Sequence, residues 1–107
     1  RSIPYIAGRS CYNWVIRFHK VKGEVVFQEQ LTLPAPAPLW GVSPQDGTNV
    51  ANNRASAITE RRFDGALGTA TAGWCVAEGD PVGTHNFTVR QRGRVVAQID
   101  FTVGDLI

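Results

Sequence analysis

Apolar and polar residues alternate with a period of two along much of the chain, which is typical of β-strands with one buried face. In residues 11–20 the apolar face carries Tyr12, Trp14, Ile16 and Phe18. In residues 24–33 it carries Val25, Phe27, Leu31 and Leu33, and Glu29 interrupts it. The residues between these segments, Val21-Lys22-Gly23, have the composition of a turn. We therefore predict that the two segments pair as a β-hairpin.

The last third of the chain shows the same alternation in two further segments. Residues 84–91 place His85, Phe87, Val89 and Gln91 on one face. The final segment places Val95, Ala97, Ile99, Phe101 and Val103 on one face. Arg92 and Gly93 separate the segments, and glycine readily takes the positive φ of a tight turn. A second hairpin is predicted here.

The middle of the chain is less regular. Residues 34–40 contain three prolines at alternate positions, which predicts an extended connector or sheet edge; a ligand for a proline-recognising partner is the functional alternative. Residues 41–54 have the composition of a long loop. Residues 55–63 fit a short helix or a strand, and the all-β context favours a strand. Residues 69–76 form the next predicted strand.

These segments predict one fold class for residues 1–107: a single all-β domain, an antiparallel β-sandwich of about seven strands. The length of 107 residues is sufficient for one core. The formal net charge of +2 is too small to indicate nucleic-acid binding. No apolar run approaches the ~18–20 residues needed for membrane insertion. The first seven residues lack the pattern of a signal peptide, and the absence of an initial Met suggests a trimmed mature form.

The two cysteines, Cys11 and Cys75, lie in or beside predicted strands. A disulfide between them would close a loop of about 65 residues and contribute roughly 4 kcal/mol in the chain-entropy model. Two free buried thiols are the alternative, whereas a metal or redox pair lacks the usual spacing. We favour the disulfide, which predicts a periplasmic or secreted protein.

The closing block resembles immunoglobulin-like domains of bacterial secreted and periplasmic proteins that have no known function. The block consists of Trp74, the run Gly-Asp-Pro-Val-Gly-Thr-His-Asn-Phe-Thr-Val, Gly93 and Phe101-Thr-Val103. The opening segments Ile3–Gly8 and Trp14–Phe18 are similar to the first buried strands of such domains. Cys11 and Trp14 are too close in sequence for the antibody arrangement. The resemblance implies an antiparallel immunoglobulin-like β-sandwich with its own disulfide, and it implies no particular activity.

Candidates for catalysis are few. His85 with Asp80 or Asp100 would make a base and its orienting carboxylate, but a half-buried imidazole bonded to backbone is the simpler interpretation. Motifs of hydrolases, nucleotide-binding loops and zinc sites are absent from the sequence. We predict a protein that is not an enzyme and that uses no cofactor or metal.

Two groups of residues are candidates for partner binding. One is basic: Lys20 and Lys22 flank the first predicted turn, and Arg90, Arg92 and Arg94 surround the last. If both turns lie at one end of the sandwich, they form a basic rim that attracts an anionic partner, although solvated loop ends are the simpler interpretation. The other is apolar: Trp40 with Leu39 forms an exposed patch or plugs the open end of the core.

The sequence therefore predicts a small exported binding or accessory module that contacts another protein. The alternatives are an inhibitor or immunity-type protein that inserts a loop into an enzyme, and a carbohydrate-binding module. The inhibitor requires a protruding 41–54 or 78–83 loop. The carbohydrate module requires Trp40 to be coplanar with an exposed Tyr5 or Tyr12. No nucleic acid and no membrane are expected as partners.

Overall fold

A computed structural model describes residues 2–3, 11–37, 40, 47–76 and 80–104 of the chain. Within these ranges the protein is all-β, which confirms the predicted fold class. The strands are β1 (Ser2–Ile3), β2 (Cys11–Arg17), β3 (Glu24–Thr32), β4 (Thr48–Val50), β5 (Ser56–Asp64), β6 (Thr69–Cys75), β7 (Gly83–Gln91) and β8 (Arg94–Val103). A 3₁₀ turn, Gly65–Leu67, joins β5 to β6. The strand that was favoured over a helix at 55–63 is confirmed as β5.

The strands form two sheets that face each other. The larger sheet has the order β1-β8-β7-β3-β5-β4, and the smaller contains β2 and β6. All neighbouring strands are antiparallel except β1 and β8, which are parallel. The predicted closing hairpin is confirmed, since β7 and β8 pair from Gly83–Val103 to Gln91–Arg94.

The hairpin predicted for residues 11–33 is wrong. β2 pairs with β6 in the small sheet, whereas β3 lies between β5 and β7 in the large one. The chain crosses between the sheets over residues 18–23, where the Phe18 amide donates to the Gly68 carbonyl and the Val21 amide to the Gly65 carbonyl, each at 3.0 Å. A period of two reports which face is buried and carries no information about the partner strand.

Aromatic side chains from both sheets fill the space between them. Trp14 of β2 is 1% exposed, and its ring centroid lies 6.2 Å from those of Phe27 and Phe63 in the large sheet. Tyr12 contacts Phe101 with centroids 4.4 Å apart. Edge-to-face and tilted pairs at such distances are favourable beyond the apolar area that they bury.

The predicted disulfide between Cys11 and Cys75 is confirmed. The two residues lie opposite each other at one end of the β2–β6 pair, with Cα atoms 3.9 Å apart. Both cysteines are exposed, so the bond closes the rim of the small sheet. The bond joins neighbouring strands of one sheet, whereas the antibody-type disulfide joins two sheets.

Candidate functional site

A cleft of about 960 Å³ lies where β3 begins and where the β7–β8 hairpin ends. We call it the hairpin groove. Its lining consists of Val21, Lys22, Glu24, Val25, Val26, Gln28, Gln91, Arg92, Gly93, Arg94, Val95 and Val96. Its volume is at the upper end of the range found for ligand sites in proteins.

Strand pairing explains why this groove exists. On one side β3 pairs with β5 along its whole length, as far as Glu24 and Asp64. On the other side its pairing with β7 ends at Gln28 and Arg90. The β7–β8 ladder shifts register between Val89 and Arg90, and such bulges bend a strand and increase its twist. Since β7 itself ends at Gln91, one residue beyond Arg90, the first residues of β3 extend past the hairpin tip and leave a gap beside it.

The charge of the groove is mainly positive. Lys22, Arg92 and Arg94 line it, and among the described residues none lies within ion-pairing distance of these three side chains. Glu24 is the acidic residue of the lining, and the guanidinium Nη1 of Arg62 donates to it at 2.7 Å. Because that carboxylate already has a partner, the three cations determine the local potential.

The other basic candidates lie outside the groove lining. Arg90 donates through Nη1 to the Gln30 side-chain oxygen at 2.8 Å, so it bridges β7 and β3. Lys20 is exposed beside Gly68 of the β5–β6 connection. The groove lining thus includes Lys22, Arg92 and Arg94, and it does not include Lys20 or Arg90.

Exposed valines accompany the cations. Val21 is 48% exposed, Val95 55% and Val96 46%. The sequence pattern placed Val95 on the core face of β8, but the register shift reverses the phase beyond Ala97, and Val95 lies opposite Arg90 on the outer face. An apolar surface rimmed by charged groups is typical of interaction sites.

Arg92 occupies an unfavourable backbone conformation. Its φ is +52° and that of Gly93 is +79°, so both central residues of the turn are left-handed. Such turns strongly prefer asparagine, aspartate or glycine at the first position, because an ordinary side chain is strained there. The turn itself does not favour an arginine at this position.

We expect Arg92→Asn to raise the free energy of unfolding by roughly 0.5–1 kcal/mol, because asparagine tolerates the left-handed conformation. Urea denaturation followed by fluorescence measures the change. Arg94→Asn is the matched control, since Arg94 is a strand residue and its replacement brings no such gain. An equal or larger gain in the control would show that charge repulsion, and not backbone strain, is relieved.

Trp40 packs against the body of the protein. Its ring meets Trp74 edge-on with centroids 5.7 Å apart, and its indole N–H donates to the Arg54 carbonyl at 3.1 Å. The adjoining cavity is about 20 Å³, enough for a single water. Trp40 is thus half-buried against the core cluster. Leu39 lies outside the described residues.

A polar cluster in the core was missed by sequence reasoning. Glu29 is 0% exposed, and its carboxylate accepts hydrogen bonds from the indole N–H groups of Trp14 at 2.6 Å and Trp74 at 2.9 Å. Arg61 Nη2 donates to it at 3.0 Å, and its guanidinium lies 6.0 Å from the Trp74 ring centroid. The signal was Glu29 itself, a charged residue in phase with Phe27 in β3. We interpret the cluster as structural because the carboxylate is enclosed and occupied.

His85 is also enclosed. It is 1% exposed, its Nδ1–H donates to the Gly83 carbonyl at 3.1 Å, and its ring contacts Tyr12 and Phe101. His85 is therefore an imidazole bonded to the backbone, which is the simpler of the two interpretations of its sequence position. Burial lowers the pKa of His85, while the Gly83 carbonyl and Asp80 act in the opposite direction.

We expect stability to decrease as the pH falls below about 6.5, the usual pKa of histidine, because the unfolded chain then binds a proton that the folded chain disfavours. Above that pH the contribution of His85 is fully retained. Thermal unfolding between pH 5 and 7.5 measures the slope. His85→Gln should flatten it, whereas the same change at exposed His19 should not. An unchanged slope in His85→Gln would assign the effect to other groups.

Among the described residues, no group of three or more His, Cys, Asp or Glu side chains is arranged to hold a metal ion. The described chain likewise contains no helix long and apolar enough to cross a membrane. Of the two loops that an inhibitor would insert, residues 41–46 and 78–79 lie outside the described residues.

Comparison with known proteins identifies a family. The model of the PM0630 beta sandwich domain matches residues 1–104, nearly the whole chain, and the chain belongs to this family. No curated protein and no solved structure matches the chain. The family description agrees with the observed fold and names no activity.

Proposed function

We propose that this member of the PM0630 beta sandwich domain family is a non-catalytic binding module that contacts another protein through the hairpin groove. The observation that carries the proposal is the coincidence of three unpaired cations and exposed valines around one large cleft. Arginine is enriched at the centres of protein interfaces, where it combines charge with apolar contact. The strained backbone of Arg92 supports a role for its side chain beyond the turn.

The location that fits this proposal is outside the cytoplasm. A small disulfide-bonded β domain is compatible with an extracellular location, because such bonds persist in oxidising compartments. We propose that the protein is periplasmic or secreted. The immunoglobulin-like classification remains a prediction, supported by the strand pattern and by the two facing sheets.

A carbohydrate platform made of Trp40 and Tyr12 is not supported by the geometry. Tyr12 is 8% exposed, and Trp40 is half-buried against Trp74. Stacking on sugars requires exposed ring faces. Tyr5, the other predicted platform residue, lies outside the described residues. We therefore favour a protein as the partner.

The test is capture of a partner by the immobilised domain from an extract of its source. Arg92→Glu combined with Arg94→Glu should reduce the captured protein at least tenfold, because the groove loses its positive charge. Arg17→Glu is the control: Arg17 is exposed on the small sheet, outside the groove lining, and undergoes the same Arg→Glu replacement as each of the two groove arginines. Equal capture by all variants would exclude the groove as the contact surface.

A further inference from the structure

The hairpin groove presents an open strand edge as well as a charged rim. We propose that the groove binds an extended, acidic segment of the partner protein, which adds as a strand to the unpaired edge of β3. This inference rests on the proposed function and specifies how the partner is held. Strand addition is a recurring mode of peptide recognition, in which backbone hydrogen bonds provide affinity and side chains provide specificity.

The unpaired edge consists of Glu24–Phe27. In the β3–β7 ladder the described residues pair from Thr32 to Gln28 and no further, although β3 continues for four residues beyond that point. Along a strand, successive residues direct their N–H and C=O groups to opposite sides. One half of these groups meets β5, and the other half faces the gap. At about 3.3 Å per residue this edge is roughly 13 Å long, enough for about four residues of a bound segment.

The lining shows that the gap lies between strands, in the plane of the sheet. Side chains from both faces contribute to it: Val25 has the phase of the core face, whereas Val26 and Val95, which lies opposite Arg90, have the phase of the outer face. A depression on one face of an intact sheet would be lined by residues of one phase only. A guest strand in this gap would therefore contact apolar side chains on both of its faces.

The charges around the gap favour an acidic bound segment. Lys22 lies at the β3 end, and Arg92 and Arg94 lie at the hairpin tip across the gap. The carboxylate of Glu24 is already paired with Arg62 at 2.7 Å, so it opposes an acidic guest only weakly. A segment that alternates acidic and apolar residues matches both the cations and the valines. A basic segment would meet like charges on both sides.

The test uses a blocked synthetic hexapeptide, Glu-Val-Glu-Val-Glu-Val, titrated into the isotope-labelled full chain and followed by NMR. We expect saturable shifts confined to residues 24–28 and 91–96, together with slower amide exchange within Glu24–Phe27. Replacement of the peptide glutamates by lysines should weaken binding at least tenfold. N-methylation of alternate peptide amides should weaken it similarly, because the backbone bonds are lost.

The outcomes separate this inference from the proposed function. Equal binding of the N-methylated peptide, or shifts outside the groove, would overturn strand addition. The proposed function would still stand if capture of the natural partner depended on the groove arginines. Loss of binding in the Arg92→Glu, Arg94→Glu variant with retention in Arg17→Glu would support it. If neither the acidic peptide nor the captured partner depended on the groove arginines, both proposals would fail.

Discussion

Replacing Glu29 with alanine is expected to lower the free energy of unfolding by about 3–5 kcal/mol, a large share of the stability of a small domain. The carboxylate accepts from Trp14, Trp74 and Arg61, and its removal leaves two indole N–H groups and a guanidinium without their acceptor. Among the described residues, no group accepts a hydrogen bond from the buried Arg61 Nε, so this part of the chain offers the cluster no spare acceptor. Urea denaturation monitored by tryptophan fluorescence measures the loss.

Two controls separate this effect from general damage to β3. Glu29→Gln keeps the size of the side chain and one carbonyl acceptor, and it should lose less stability than alanine does. Glu60→Gln removes an exposed carboxylate of the neighbouring strand, which contacts Arg62, and should leave the denaturation midpoint nearly unchanged. If Glu29→Ala were as stable as Glu60→Gln, water would replace the hydrogen bonds of Glu29, and the cluster would contribute nothing to the free energy of unfolding.

Removing the disulfide with the double variant Cys11→Ala, Cys75→Ala is expected to cost about 4 kcal/mol, because the bond spans 64 residues of sequence and restricts the unfolded chain. For a domain of this size the Tm should fall by roughly 15 °C. Scanning calorimetry on the oxidised, reduced and double-variant proteins measures the effect.

The double variant also supplies its own control. A reductant should lower the Tm of the wild type to that of the variant and should leave the variant unchanged. Mass measurement of the wild type before and after reduction should differ by about two daltons, one hydrogen for each thiol. Labelling of thiols in the denatured, unreduced wild type would contradict the disulfide itself.

Alternation in the sequence predicted most of the strands and their buried faces, but not pairing between strands. It missed β4 (Thr48–Val50), which lies in the segment 41–54 that was predicted to be a loop. It placed Trp14 and Phe27 on buried faces correctly and predicted the β7–β8 hairpin around Gly93. It paired β2 with β3 because they are adjacent in sequence, whereas the observed partner of β2 is β6, reached only after three further strands. Pairing at such separations depends on how whole faces pack, which no local pattern encodes.

The buried carboxylate and the groove show two further limits. The Glu29 cluster draws Trp14, Arg61 and Trp74 from positions 15 to 45 residues away, so its donors could not be assigned to it in advance. The cations of the groove were recognised from their turn positions. The gap beside them was not, because it arises where pairing between β3 and β7 ends at Gln28 and Arg90.

The Glu29 cluster also has a geometric consequence for the two sheets. Its donors Trp14 and Trp74 belong to the two strands of the small sheet, whereas Glu29 and Arg61 belong to adjacent strands of the large one. Hydrophobic burial is not directional, whereas hydrogen bonds are, and a slide of the sheets would separate the carboxylate from both indoles at once. We infer that the hydrogen bonds of the Glu29 cluster restrict the small sheet to one position on the large sheet.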